Sequence, residues 1–436
     1  LMAMSKAASY TLGSSFSAAS TAANGNDVWG STGFIPVGTA GSAFTGSLDG
    51  TGHIVSNLNI IKSGVAGVGL FGVVGSGGVI ANVGLSGGTI SGGDNTGALV
   101  GTNGGSVSGS FATSAVTGAN NVGGLVGSNT GTGTIKDSYA SGAVTGSSGA
   151  GGLVGSNSGT LDTSYANGSV SGAGGGLVGT GAGSVTGSYW DSTASGKATS
   201  AGGTELTTSG LKTLSNYTGA GWELGQMWVA YDGQSAPFLR SFMKQIAVRV
   251  SYDSKVYDGV AYAGGSNSVT YSNTVAGADL LGTLVYAGNA TGAVNAGTYG
   301  VSASGLYATG GQSGYAISYI DGGLVITPKA LTVTGATAAD KTYDGSATAA
   351  ITGGALDGLV SGETLVLNSA SGVFNNQNAG NGKAVTVTGA SLGDGTGLAS
   401  NYTVAQSSAG TANITPKALT VTGATAADKT YDGSAT

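Results

Sequence analysis

Gly69-Leu70-Phe71-Gly72, Ala98-Leu99-Val100-Gly101, Gly124-Leu125-Val126-Gly127, Gly152-Leu153-Val154-Gly155 and Gly176-Leu177-Val178-Gly179 are five versions of one phrase. The leucines stand 29, 26, 28 and 24 residues apart. A unit of that length is too short to bury a core alone, so successive units must stack on each other. Other positions keep step with the leucine. Asn103, Asn129 and Asn157 follow it by four residues. Phe111, Tyr139, Tyr165 and Tyr189 follow by 12, 14, 12 and 12. Val116, Val144 and Val170 come five residues after the aromatic, with Ala194 in that place in the last repeat. Each unit reads as strand, glycine-rich turn, strand, turn, strand. If one unit makes one coil of a parallel β-helix, equivalent residues lie about 4.8 Å apart. Leucine then sits on leucine, aromatic on aromatic and asparagine on asparagine; the leucine and aromatic columns are expected to stack in the core of the array, the asparagines in a turn. Glycine suits corners that need positive φ.

Composition agrees with stacked strands. The 436 residues include 87 glycines but only 4 prolines, and glycine keeps no three-residue period, which excludes collagen. Hydrophobic residues make up 40% and charged residues 8%, the reverse of a disordered chain. The net charge of −6 is spread thinly, with no basic patch to neutralise a phosphate backbone, so nucleic acid is not an expected partner. No apolar run approaches the ~20 residues of a membrane helix, so membrane insertion is not expected either. The absence of cysteine rules out a disulfide scaffold and thiolate metal sites, and is compatible with export. Leu1-Met2-Ala3-Met4-Ser5-Lys6 does not read as a signal peptide.

The flanks of the array differ from it. Residues 10–68 contain Tyr10-Thr11-Leu12, Trp29, Phe34-Ile35-Pro36-Val37, Phe44 and the alternating run His53–Ile60, and read as first coils and cap. Residues 191–244 hold Trp222, Trp228, Pro237 and Phe238, a bulky segment suited to closing an open end. From about 245 the texture changes. Lys255-Val256-Tyr257-Asp258-Gly259, Lys341-Thr342-Tyr343-Asp344-Gly345 and Lys429-Thr430-Tyr431-Asp432-Gly433 open three units. Each complete unit later carries Asn-Ala-Gly, at Asn295 and Asn378, and closes with Ile-Thr-Pro-Lys. Residues 326–348 and 414–436 are the same 23 letters, 88 residues apart. Identity of that extent points to recent tandem duplication, and the expectation is an internal piece of a longer protein.

The predicted fold is all-β: a right-handed parallel β-helix followed by tandem small Ig-like β-sandwiches. The expected domains are lead-in coils over 1–68, repeat β-helix over 69–190, a closing segment over 191–244, sandwiches over 245–328 and 329–416, and the truncated start of a third repeat over 417–436.

The Gly-Leu-Val-Gly-Ser-Asn phrase followed by Ser-Tyr-Ala resembles the GLUG motif, and the Tyr-Asp-Gly units resemble YDG/MBG repeats. Together they resemble the filamentous haemagglutinin family of large bacterial surface proteins. The resemblance implies a secreted adhesin at the Gram-negative cell surface, exported through an outer-membrane two-partner secretion transporter, with a surface receptor or glycan as partner. The family's N-terminal secretion domain is not seen among these residues.

Candidate chemistry is sparse. His53 is the one histidine and sits in a probable strand, where it reads as structural. Asp137, Asp162 and Asp191 read as turn and strand-edge residues. Gly92-Gly93-Asp94-Asn95 resembles a calcium-binding turn but occurs once. Tyr-Asp-Gly is foremost a turn with a packing tyrosine. The asparagine column reads as a hydrogen-bonded ladder. No catalytic, cofactor-binding or metal-binding residue is assigned, and no cofactor is expected. The sequence reads as a non-enzymatic, rigid, multivalent adhesin. A passive stalk or matrix protein without a receptor is the first alternative. The non-catalytic part of a large secreted peptidase is the second.

Overall fold

The computed structural model describes residues 4–22, 33–264, 268–274 and 279–436. Leu1-Met2-Ala3 and Trp29 lie outside the described residues. The chain packs as two compact units: residues 1–247 with 273–283 and 305–318, and residues 248–272 with 284–304 and 319–436.

The first unit is a parallel β-helix. A complete coil is built from five short strands, for example Thr96–Gly97, Val100–Asn103, Ser106–Ser108, Phe111–Ala112 and Ala115–Thr117. Each pairs in parallel with its counterpart one coil away, as in Val126↔Val100 and Val126↔Val154. The sequence suggested three strands per unit. Five form, with a left-handed corner at some of the breaks between them. One such corner column is Asn82, Gly109, Asp137, Thr163 and Gly187, all at φ between 40° and 53°. Asparagine, aspartate and glycine tolerate that region; the β-branched Thr163 is strained there.

The leucine column stacks as expected. Leu99 N–H donates to the Leu125 carbonyl (3.0 Å), Leu125 to Leu153 (2.9 Å) and Leu153 to Leu177 (2.9 Å). All four side chains are fully buried. The last glycine of the phrase is required by close approach. A Cβ on Gly127 would lie 2.4 Å from the Asn95 carbonyl carbon, and one on Gly155 2.2 Å from that of Asn121. Val107, Ile135 and Leu161 form a second interior column, and Val116, Val144 and Val170 a third.

The aromatic column stacks, but not in the coil interior. Phe111, Tyr139, Tyr165 and Tyr189 pair in register. The first three rings lie parallel, with centroids 5.2 and 4.9 Å apart and planes 7° and 5° from parallel. Their strand neighbours Ala112, Ala140 and Ala166 face inward. Successive side chains on a strand point to opposite faces, so the aromatics face out. A separate core covers them, built from Leu211, Tyr217, Trp222, Trp228 and Leu239.

The segment 191–244 therefore does more than close an end. Thr204–Leu206 adds a last parallel rung to Tyr189–Asp191. Trp190 takes the inward alanine position and plugs the interior of the last coil. The chain then runs back along the aromatic face as far as Phe242, which meets Phe111 edge-on at 4.9 Å. At the other end Phe44 packs against Phe71 at 4.9 Å.

The chain after the solenoid and its cover is β-rich. Tyr252–Val256, Gly322–Thr327, Gly297–Ala308 and Leu280–Gly288 neighbour one another in that order in a four-stranded sheet. A seven-stranded sheet has the order Lys341–Thr342, Ser407–Thr415, Gly380–Asp394, Leu365–Phe374, Thr348–Asp357, Lys329–Ala338, Tyr402–Val404. Two stretches of the expected first sandwich, 273–283 and 305–318, pack with the solenoid's unit. Gln312 accounts for part of this, because its amide bonds both Tyr139 and Leu239. Residues 417–436 contain no strand.

Leu125→Ala is expected to destabilise the solenoid by roughly 2–5 kcal/mol, since both neighbouring coils hold the cavity open. Denaturant unfolding of the variant measures it; an unchanged midpoint would contradict a buried column.

Candidate functional site

Three ladders run along the solenoid. In the first, Asn103 Nδ2 donates to Asn129 Oδ1 (2.9 Å) and Asn129 Nδ2 to Asn157 Oδ1 (2.8 Å). All three side chains are buried. Buried amides are costly unless bonded, and stacking lets each bond the next. The ladder ends on Val74, opposite Asn103, and on Gly181, whose missing Cβ leaves room for the Asn157 backbone. No amide is left over to bind a ligand, so the column acts as a structural ladder.

The second ladder was not read from the sequence. Ser110, Ser138, Ser164 and Ser188 each precede a column aromatic and are buried. Each Oγ donates to the carbonyl two residues back, as Ser138 does to Lys136 (2.8 Å). Each also accepts a backbone N–H of the preceding coil: Ser138, Ser164 and Ser188 accept from the serine before them in the column, as Ser164 Oγ does from Ser138 (3.1 Å), and Ser110 accepts from Val83 (3.1 Å). The constant Ser-aromatic pair was the available sign.

The third is the tyrosine column. Each hydroxyl reaches a partner in the covering layer: Tyr139 to Gln312 Oε1 (2.9 Å), Tyr165 to the Pro237 carbonyl (2.8 Å) and Tyr189 to the Asn216 carbonyl (2.8 Å). Burial raises the pKa of all three hydroxyls, and of Tyr217. They are held neutral as donors.

The acidic candidates are each used structurally. Asp137 accepts from Thr163 Oγ1 (2.6 Å) and Trp228 Nε1 (3.3 Å), which offsets the strain at Thr163. Asp162 accepts from Thr186 Oγ1 (2.7 Å). Asp191 caps the helical turn Ser192–Ser195 through Ala194 N–H (2.9 Å) and accepts from Thr208. Asp94, in the calcium-like turn, braces Asn120 of the next coil (2.9 Å). His53 lies in the strand Ser47–Ser56 with Nδ1 3.5 Å from Ser15 Oγ. Among the described residues no group of three or more His, Asp or Glu side chains could hold a metal ion. Nor is any helix there long and apolar enough to cross a membrane, which says nothing of β-barrels.

In the second unit, Lys-x-Tyr-Asp-Gly forms the same clamp three times. Lysine bonds the aspartate three residues on: Lys255–Asp258 at 2.6 Å, Lys341–Asp344 at 2.7 Å and Lys429–Asp432 at 2.7 Å. The same carboxylate accepts the N–H two residues further on, from Val260, Ser346 and Ser434. Gly259, Gly345 and Gly433 take φ of 74°, 82° and 75°, which the turn requires. The Lys341 ammonium beside Asp344, with the Ser346 N–H, lowers its carboxyl from 3.8 to about 2.

The tyrosine of the first clamp belongs to a joint between repeats. Tyr257 Oη donates to Glu363 Oε1 and Tyr402 Oη to Glu363 Oε2, both at 2.5 Å. The two rings meet edge-on at 5.3 Å. Asn401 completes the joint: its Nδ2 donates to Asn295 Oδ1 (3.0 Å) and its Oδ1 accepts from Ala296 N–H (2.7 Å). Burial first, then the Glu363 carboxylate, pushes Tyr402 up to about 12 and raises Tyr257.

The geometry agrees with comparisons to known proteins. Residues 327–409 match the YDG domain, and residues 118–145 match the GLUG motif. The chain carries both repeat types. The chain is also similar to Halomucin of Haloquadratum walsbyi (strain DSM 16790 / HBSQ001), 39% identical over 100 residues. That covers 22% of this chain and 1% of Halomucin, so the chain spans only a small fraction of its relative. No solved structure matches the chain. The GLUG match spans one coil, including Leu125, Asn129 and Tyr139. The YDG match runs from Thr327 past Tyr402 and includes the second clamp.

Asn129→Ala removes the middle of the amide ladder: buried Asn103 Nδ2 keeps only its longer bonds to the Thr134 and Gly105 carbonyls (3.2 and 3.4 Å), and buried Asn157 Oδ1 loses its amide donor. The expected loss is about 1–3 kcal/mol in chemical denaturation, more than for exposed Thr145→Ala.

Asp344 gives a pH signature. Its folded pKa lies below its ordinary value, so the clamp's contribution is present above pH 3.8 and is lost as pH falls through about 2. Carboxylate NMR titration of Lys341→Met is expected to show Asp344 moving back up; an unmoved titration would remove the lysine as the main cause.

Proposed function

We propose that this chain is a rigid, non-catalytic repeat scaffold of a secreted or surface-exposed adhesin, making many weak, equivalent contacts to glycan or abiotic surfaces. The carrying observation is the in-register repetition of uncharged hydroxyl groups on the outside of the solenoid. Thr117, Thr145 and Ser171 form one exposed column, and Thr134, Thr160 and Ser184 another. Neighbours in a column stand about 4.8 Å apart. A surface that repeats on a similar scale meets several such groups together, so low affinity per group sums by multivalency.

The non-enzyme reading rests on how the acidic groups are used. Asp49, Asp94, Asp137, Asp162 and Asp191 all hold turns, corners or caps. A general acid or base must be free to exchange its proton with substrate. The likeness to Halomucin and the GLUG and YDG repeats support a surface setting. Export by a two-partner transporter at a Gram-negative outer membrane, and the domain limits at 245, 329 and 417, belong to the same proposal.

The test deletes residues 126–153, one full 28-residue coil, which lets Leu125 run on in register. Beads coated densely with purified chain should adhere to glycan-coated or plain mineral surfaces, and adhesion should fall with the shortened chain. Soluble monomer should bind at least tenfold more weakly than coated beads. Adhesion to nothing at any density would leave a passive stalk. Hydrolysis of peptide or glycan panels that survives repurification would overturn the non-catalytic reading.

A further inference from the structure

The joint between the first and second YDG-type units has an empty counterpart. Tyr257 N–H donates to the Thr327 carbonyl (2.9 Å), and Tyr343 N–H donates to the Thr415 carbonyl (2.8 Å). Lys255↔Ile326 and Lys341↔Ile414 pair in parallel in the same way. Tyr343 therefore occupies the position in the second unit that Tyr257 occupies in the first. Asn378-Ala379-Gly380 likewise corresponds to Asn295-Ala296-Gly297. At the first joint these groups are engaged by Glu363 and Asn401, and Tyr257 is 3% exposed. At the second, Tyr343 is 37% exposed and its hydroxyl has no partner among the described residues. Tyr343, Asn378, Ala379, Pro416, Lys417 and Leu419 line an open hollow there.

We propose that this hollow is a docking socket for the glutamate and Asn-Tyr edge of another YDG repeat, the edge that Glu363, Asn401 and Tyr402 present at the first joint. The occupant follows from chemistry on both sides. A phenol donor, an amide oxygen and a backbone N–H stand in the order that one carboxylate and one asparagine side chain satisfy at the first joint. The start of a third copy is already in place, since residues 414–436 repeat 326–348 letter for letter. The joint makes a tandem array self-templating: each repeat offers a plug on one side and a socket on the other. A head-to-tail contact of this kind repeats from one copy to the next, the pattern from which rings or filaments are built. The inference holds whatever the scaffold adheres to.

The test extends the full chain past Thr436 with a copy of residues 349–416, which completes the third repeat. Hydrogen exchange is followed by NMR. The Ala296 amide, bonded to Asn401 in the existing joint, is the internal reference. Protection in the added counterparts of Leu365–Phe374 and Gly380–Asp394 reports that the new copy has folded. The Ala379 amide should then exchange about tenfold or more slowly than in the unextended chain, approaching Ala296. Tyr343→Phe, or alanine at the added counterpart of Glu363, should return much of that protection while the added strands stay protected. Tyr343→Phe in the unextended chain should change nothing at Ala379. Protected added strands with an unchanged Ala379 would overturn the proposal. Added strands that never gain protection would also overturn it, because the same residues fold at 349–416 with their joint engaged.

Discussion

Backbone hydrogen bonding between coils holds the solenoid in register, and that register sets a rule for every side chain. Each residue must tolerate a copy of its own kind about 4.8 Å away on both sides. Leucine, valine and alanine do so by packing. Asparagine does so by donating its amide to the next amide oxygen. Serine does so by accepting an N–H from one coil while bonding back within its own. Tyrosine does so by parallel ring stacking. A column of one charge would repel itself, and the chain's 8% charged content reflects that constraint.

The outward aromatic column creates a second requirement. A strip of stacked phenol rings in water would be a large apolar patch, which soluble surfaces rarely tolerate. The chain covers it with its own downstream segment. Trp222, Trp228 and Leu239 supply apolar area, while carbonyls and Gln312 receive the hydroxyls. The cover ties coils that are neighbours in space to residues far along the chain. It stiffens the array sideways, whereas the coil ladders stiffen it lengthwise.

Periodicity made the solenoid legible, because one fixed interval governs leucine, asparagine and aromatic together. It did not show which side of the strand the aromatic takes. The answer lay in the neighbouring alanine: in the two-residue strand Tyr139–Ala140 one residue faces in, and a Cβ on Gly124 would already lie 2.8 Å from that of Ala140, so the interior there has no room for a ring. The serine ladder escaped notice because serine is common throughout the chain. Only the fold shows that four of these serines lie in one buried line. The joint at Glu363 was equally hidden, since Tyr257 and Glu363 are 106 residues apart.

The 23 residues that occur twice separate local from tertiary control. In both places the sequence alone makes the Lys-x-Tyr-Asp-Gly clamp, with the same ion pair of 2.7 Å and the same left-handed glycine. Those contacts lie within a few residues of each other and need no other partner. The strand before the clamp does not follow its sequence in the same way. Leu331 and Val333 lie in Lys329–Ala338 at 0% and 1% exposure, while the identical Leu419 and Val421 are 89% and 88% exposed, outside any strand. A strand's hydrogen bonds and its apolar face both require neighbours from elsewhere in the chain. Lys329–Ala338 has Thr348–Asp357 and Tyr402–Val404 beside it. The turn was therefore determined by the sequence itself, and the strand by the tertiary structure that surrounds it.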